Sequence, residues 1–196
     1  MTKVAVCGAA GRMGKTLVAA IAKHPGLVLA GAIEQPGLPV IGEDAGVLAG
    51  VGHCGVAITD SLAQGIADCD VLIDFTTAAA VLHNIEICRQ LGKRMVIGTT
   101  GLSAEQKVAM QAAASQIGIV FAPNYSVGVN VTLKLAEIAA GIFGDDVDIE
   151  IIESHHRHKI DSPSGTALGL GESVAGALGR RLSEVAAYGR EGVTGE

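Results

Sequence analysis

Residues 155–159 read His-His-Arg-His-Lys, and residues 162–166 read Ser-Pro-Ser-Gly-Thr. Three imidazoles, a guanidinium and an ammonium within five positions can carry protons and bind anions. His155, His156 and His158 are also nitrogen donors for a metal. Arg157 and Lys159 repel a cation, however, and adjacent side chains on extended backbone point to opposite sides, so no metal is assigned. A solvated basic turn is the plainest alternative. Against it, Ser164 is placed to cap a helix beginning near Thr166, and Pro163 to end whatever precedes it. The N–H groups of Gly165 and Thr166 would then face outward from a helix N-terminus, where a carboxylate or phosphate binds. With His156 and Lys159 nearby, the loop suits a substrate bearing carboxylates, with one histidine supplying the proton.

A second group lies at the other end of the chain. Gly-Ala-Ala-Gly-Arg-Met-Gly (8–14) follows an apolar run and opens a helical one. Gly8 can make the tight turn, Gly11 lets backbone approach a pyrophosphate, and Gly14 lets helix pack on strand. The spacing is GxxGxxG, with Ala10 at the usual second glycine. Glu34, twenty residues after Gly14, ends the next apolar run, where an acid binds adenosine ribose hydroxyls. A rival reading takes residues 9–16 as a loosened P-loop, with Lys15 on phosphates and Asp74 as the magnesium acid. Ala9 stands where that motif needs glycine, and Glu34 is then left without a role.

The elements that must hold these residues alternate. Short apolar runs at 3–8, 27–34, 71–75, from 94 and at 118–124 read as strands. Amphipathic stretches at about 12–23, 78–91 and 103–116 read as helices, the last with Ser103 and Gln106 spaced as a capping box. Residues 35–56, rich in Gly and Pro, read as a long functional connection. Strand–helix alternation predicts an α/β fold, a Rossmann-type doubly wound parallel sheet. After Pro123 the pattern changes: a helix at 130–144, an alternating strand at 148–154, then the basic loop and a helix over 166–178. One strand cannot satisfy its own edges. The division expected is therefore 1–126, dinucleotide-binding, and 127–196, a partial α+β substrate domain that reads as incomplete.

The chain has 196 residues, 49% of them hydrophobic, with 27 glycines and a net charge of −6. Those values exclude whole-chain disorder and argue against a nucleic-acid surface, while leaving a local anion site possible. Cys7, Cys54, Cys69 and Cys88 form no CxxC pair, and Cys7 and Cys69 read as small core residues. No signal peptide or membrane-spanning run is visible, and a reduced cytoplasm is the expected location.

The run Glu-Ser-His-His-Arg-His-Lys-Ile-Asp-Ser-Pro-Ser-Gly-Thr-Ala (153–167) resembles the signature of the dihydrodipicolinate reductase family of the bacterial and plant lysine pathway. Residues 4–14, Asp-Phe-Thr (74–76), Gly-Thr-Thr-Gly (98–101) and Ala-Pro-Asn-Tyr-Ser-Val-Gly-Val-Asn (122–130) resemble other parts of it. The resemblance implies NADH- or NADPH-dependent reduction of a cyclic imine dicarboxylate, formed from 4-hydroxy-tetrahydrodipicolinate, to tetrahydrodipicolinate in lysine and diaminopimelate biosynthesis. It makes His155 the proton donor and Lys159 a second donor that stabilises negative charge. His156, Gly165 and Thr166 would hold the carboxylates. Gly8, Ala9, Ala10, Gly11, Arg12, Met13, Glu34, Gln35, Phe75, Gly98, Thr99, Thr100, Ala122, Pro123, Asn124 and Tyr125 would line the cofactor, and residues 126–130 would form a hinge. The family is expected to be homotetrameric and cytoplasmic, with a small-molecule partner and neither nucleic acid nor membrane. Two departures stand out. Gln35 occupies a position where family members often carry Arg facing a 2′-phosphate, with Arg12 a partial substitute. Family chains also continue beyond residues 190–196, so this one reads as truncated. A non-catalytic dinucleotide-binding fragment or redox sensor is the alternative from another class.

Overall fold

The computed structural model describes residues 1–157, 159 and 162–189. Expectations that fall on His158 and on residues 190–196 lie outside them. The chain divides into two units, Met1–Pro123 and Asn124–Glu196, where the sequence pointed to 126/127.

The first unit is a sheet of six parallel strands: β1 (Thr2–Cys7), β2 (Leu27–Ile33), β3 (Ile58–Thr59), β4 (Val71–Asp74), β5 (Arg94–Ile97) and β6 (Ile119–Phe121). Their order is β3-β2-β1-β4-β5-β6. The chain winds outward from β1 to β3, then crosses back to β4 and winds the other way. The switch point therefore lies between β1 and β4, where the carboxyl ends of parallel strands open a crevice.

Alternation along β1 builds both cores. Val4 and Val6 face one side with Val18 and Ile21 of α1 (Arg12–Lys23) and Ala45 of α2 (Ala45–Leu48). Ala5 and Cys7 face the other, with residues of α3 (Leu62–Ile66), α4 (Ala78–Gln90) and α5 (Ala104–Ala113). This is the period-two division of a sheet covered on both faces. The capping box at α5 is formed: Ser103 accepts from the Gln106 N–H, and the Gln106 side chain accepts from the Ser103 N–H. The connection over 35–56 has more structure than its composition indicated. Asp44 caps α2 by accepting from Gly46 and Val47, and also takes N–H bonds from Cys54 and Gly55.

The second unit packs α6 (Val127–Phe143) against α7 (Gly165–Ala177), with α8 (Leu182–Val185) following. A Cβ built on Gly169 would meet the Leu133 side chain at 3.7 Å, an ordinary packing distance, so the two helices face each other across this pair. Helix α6 begins earlier than the sequence indicated, capped by Ser126. The expected strand at 148–154 is not formed. Among the described residues no second strand of this unit lies beside it, and a strand without a ladder partner leaves its backbone groups unpaired. Its apolar side chains stay open, Ile152 at 90% exposure.

Candidate active site

The register of the sheet aligns the strand ends. Cys7 pairs with Ile33 on one side and with Asp74 on the other, Asp74 with Ile97, and Ile97 with Phe121. The residues immediately after this row are Glu34, Gly8, Phe75, Gly98 and Ala122. All five were named from sequence as cofactor-lining, and the sheet sets them side by side although they are spread over more than a hundred residues.

The turn after β1 is bolted to β2. The N–H groups of Gly8 and Ala9 both donate to the Ile33 carbonyl, at 2.8 and 3.0 Å, and Gly11 N–H returns to the Gly8 carbonyl. Glu34 accepts from the Ala10 N–H at 3.1 Å and from the Gln35 N–H at 2.9 Å. Gly8 takes φ +72°, a left-handed value that suits glycine. A Cβ on buried Gly14 would lie 2.1 Å from the Gly8 oxygen, so helix meets turn at bare backbone.

These bonds change which donors a phosphate could use. The N–H groups from Gly8 to Gly11 are taken up inside the turn. Arg12 and Met13 start α1, and first-turn N–H groups have no intrahelical acceptor. They are the donors left for a pyrophosphate, at the positive end of the helix. A cavity of about 470 Å³ opens there, lined by Cys7, Gly8, Gly11, Arg12, Met13 and Phe75 among others. The residues present fit a dinucleotide: an anion-binding helix start, an acid at the end of β2, and a glycine that admits no side chain.

Asp74 decides against the P-loop alternative. It is 0% exposed, and its carboxylate accepts from Thr76 and Asn84, so it has no face to offer a magnesium ion. Thr99, named with the cofactor residues, is 3% exposed, and its hydroxyl turns to Asp74; Thr100 beside it is exposed. Ala9 is also buried. Burial of Cys7, with the charges of Asp74 and Glu34 adding to it, pushes its thiol up to about 12.

In the second unit, Ser164 is 5% exposed and caps α7 by accepting from the Ala167 N–H at 3.1 Å. The helix therefore opens with Gly165 and Thr166, both exposed. One carboxylate ties this cap to the basic loop. Glu153 accepts from the Ser164 N–H at 2.8 Å through one oxygen and meets His155 Nε2 at 2.8 Å through the other. Hydrogen bonds from Ser164 and His155 hold Glu153 at about 2, below its ordinary 4.5. Glu153 opens the 153–167 motif, and the resemblance implies no role for it. Its signal was local: an acid two residues before a histidine at the end of an alternating segment. The Lys159 N–H bonds the His156 carbonyl at 3.1 Å. Among the described residues no three His, Cys, Asp or Glu side chains gather to hold a metal. Asn124, also named for the cofactor, accepts from the Ser126 N–H and, through its carbonyl, from the Asn130 amide at the start of α6.

Comparison with known proteins covers the whole chain. Two family models match, dihydrodipicolinate reductase N-terminus over residues 2–125 and C-terminus over 128–196. The 4-hydroxy-tetrahydrodipicolinate reductase of Acinetobacter baumannii is 55% identical over 193 residues, covering 98% of this chain and 70% of that protein. The corresponding enzyme of Alkalilimnicola ehrlichii is 56% identical over 195 residues, covering 100% and 73%. Among solved structures, a dipicolinate-bound dihydrodipicolinate reductase from Paenisporosarcina sp. TG-14 matches with a TM-score of 0.73 and 30% identity, covering 90% of this chain and 66% of that one.

Proposed function

The chain belongs to the dihydrodipicolinate reductase family, NAD(P)H-dependent oxidoreductases of lysine and diaminopimelate biosynthesis, and on that premise we propose how its own residues divide the work. The reaction is reduction of the cyclic imine formed from 4-hydroxy-tetrahydrodipicolinate to tetrahydrodipicolinate. The nicotinamide cofactor supplies the hydride when bound. Arg12 and Met13 N–H groups hold its pyrophosphate, Glu34 the adenosine ribose, and Phe75, Gly98 and Thr100 flank the nicotinamide end. Residues 122–125 complete the lining. The Gly165 and Thr166 N–H groups and His156 hold the substrate carboxylates. Lys159 stabilises negative charge as it develops, and His155 delivers the proton. The observation that carries this reading is Glu153, whose single carboxylate joins His155 to the capped start of α7. A proton carrier is thereby held against an anion-binding helix end. Residues 126–130, expected as a hinge, are instead the Ser126 cap and the first turn of α6.

The finer points follow from charge. Glu34 repels a 2′-phosphate, and exposed Gln35 gives it only a neutral hydrogen bond. NADH therefore binds at least as well as NADPH, with Arg12 keeping NADPH from exclusion. Gln35→Arg shifts preference toward NADPH in a calorimetric titration; a wild type already preferring NADPH tenfold or more refutes the assignment. The partner is a small dicarboxylate rather than nucleic acid, in keeping with the net charge of −6. Among the described residues no helix is long and apolar enough to cross a membrane. A cytoplasmic homotetramer is the state that fits family membership, and the exposed Val131, Leu135, Ile138 and Ile142 of α6 favour assembly.

The test of the catalytic reading is His155→Gln, assayed by NADH oxidation. A loss of roughly 10²–10⁴ in kcat, with a smaller change in KM for the dicarboxylate, is the expected outcome. Near wild-type kcat would reduce the loop to an anion clamp and move the proton donor to Lys159.

A further inference from the structure

Asp74 is a wholly buried carboxylate with no lysine, arginine or histidine bonded to it among the described residues. Such a group is costly unless its oxygens are satisfied by hydrogen bonds. They are. One oxygen accepts from the Thr76 N–H at 2.9 Å and the Thr76 hydroxyl at 2.6 Å, with the Thr99 hydroxyl at 3.4 Å. The other accepts from the Asn84 amide at 2.7 Å, and that amide also reaches Cys7 Sγ at 3.6 Å. The Asp74 carbonyl receives the Gly98 N–H at 2.9 Å. Leu72, on the same face of β4, is equally buried. An apolar side chain at position 74 would therefore have filled this core without demanding four donors.

What the carboxylate achieves is connection. It joins the turns after β4 and β5 to helix α4, and through the Asn84 amide it reaches the end of β1, so that three neighbouring strand ends at the switch point are tied together. Phe75 and Gly98 depend on this arrangement, since a Cβ on Gly98 would lie 2.1 Å from the Phe75 ring. We propose that Asp74 is a positioning residue for the cofactor half of the site. Its short bonds to Thr76, the longer contact from Thr99 and the Gly98 N–H on its own carbonyl hold the 75–77 and 98–100 turns in one spacing, so that Phe75 and Thr100 present a preformed seat for the nicotinamide end. Asn84 serves it from behind by fixing the second oxygen. The proposal rests on the cofactor placement above and goes beyond it, because Asp74 touches no ligand itself.

The experiment separates seat from scaffold. Asp74→Asn keeps the volume and removes the charge. The exchange Asp74→Asn with Asn84→Asp restores a carboxylate–amide pair between β4 and α4 but moves the carboxylate away from Thr76 and Thr99. NADH dissociation constants are measured by fluorescence titration beside thermal melting. Asp74→Asn is expected to weaken NADH binding about tenfold and to lower Tm, and the exchange to recover Tm without recovering affinity, a shift of about 1.4 kcal/mol in binding. Thr76→Val removes the shortest bond alone; a rise in Kd at nearly unchanged Tm is expected, and it carries the test if Asp74→Asn does not fold. Wild-type affinity in Thr76→Val, or affinity and Tm recovering together in the exchange, would reduce Asp74 to a core tie and overturn the proposal. Failure of the wild type itself to bind NADH would instead sink the cofactor reading, so the two failures are distinct.

Discussion

Gly14→Ala puts the cofactor turn to a direct test. The added Cβ would lie 2.1 Å from the Gly8 oxygen and 2.7 and 2.8 Å from the Ala9 Cα and carbonyl carbon. A carbon–oxygen contact needs more than 3 Å, as even close Cα–H···O contacts show, so roughly 1 Å must open between α1 and the turn. All three neighbours are backbone, and the turn is bonded to β2 through Ile33 and Glu34, so no side chain can swing aside. Overpacking of this kind costs about 1–3 kcal/mol or more, while replacing a helical glycine by alanine returns up to about 1 kcal/mol. The net expectation is a loss of roughly 1–2 kcal/mol, or some 2–8 °C in Tm for a chain of this size. A displacement of about 1 Å at a binding turn can also cost on the order of a hundredfold in function. Gly141→Ala is the control. It lies in α6, meets nothing within 4 Å, and should hold or raise Tm. Melting curves and NADH titrations on both variants decide the matter. A Gly14→Ala protein that melts and binds like wild type would show that the helix slides at no cost, and the backbone-contact argument would be wrong.

Two further outcomes follow from ionisation. Glu153 has a depressed value, so its bonds to Ser164 and His155 are fully present above its ordinary 4.5 and are lost as pH falls through about 2. The Ser164 amide resonance should titrate with a midpoint near 2; a midpoint near 4.5 would show that the carboxylate does not hold the cap, and Glu153→Gln should abolish the transition. Burial raises the thiols of Cys7, Cys69 and Cys88, Cys7 and Cys88 to about 12, whereas Cys54 is exposed. Iodoacetamide at neutral pH should therefore modify one cysteine in the folded chain and four in denaturant; rapid modification of Cys7 in the native protein would mean that the cavity floor opens.

The amino-acid sequence by itself determined the features written within a few neighbouring residues. Alternating apolar runs and amphipathic stretches set the β–α order, Ser103 with Gln106 set a helix start, and Ser164 before Gly165 set the other. The glycine turn and the basic loop were legible for the same reason: residue type and spacing along one turn of chain carry their meaning. The sequence also showed a strand at 148–154 that did not form, because alternation describes one face of a strand and says nothing of whether a neighbour exists to pair with it. Only the tertiary structure decided the row Ile33, Cys7, Asp74, Ile97 and Phe121, since register is a property of pairs far apart in the chain. It decided that Glu34 holds the Ala10 N–H and that Thr99 turns inward to a buried acid. A carboxylate reads alike in sequence whether water, a ligand or an asparagine meets it; the partners that folding brings from ten residues away at Asn84, and through it from β1 at Cys7, settle which.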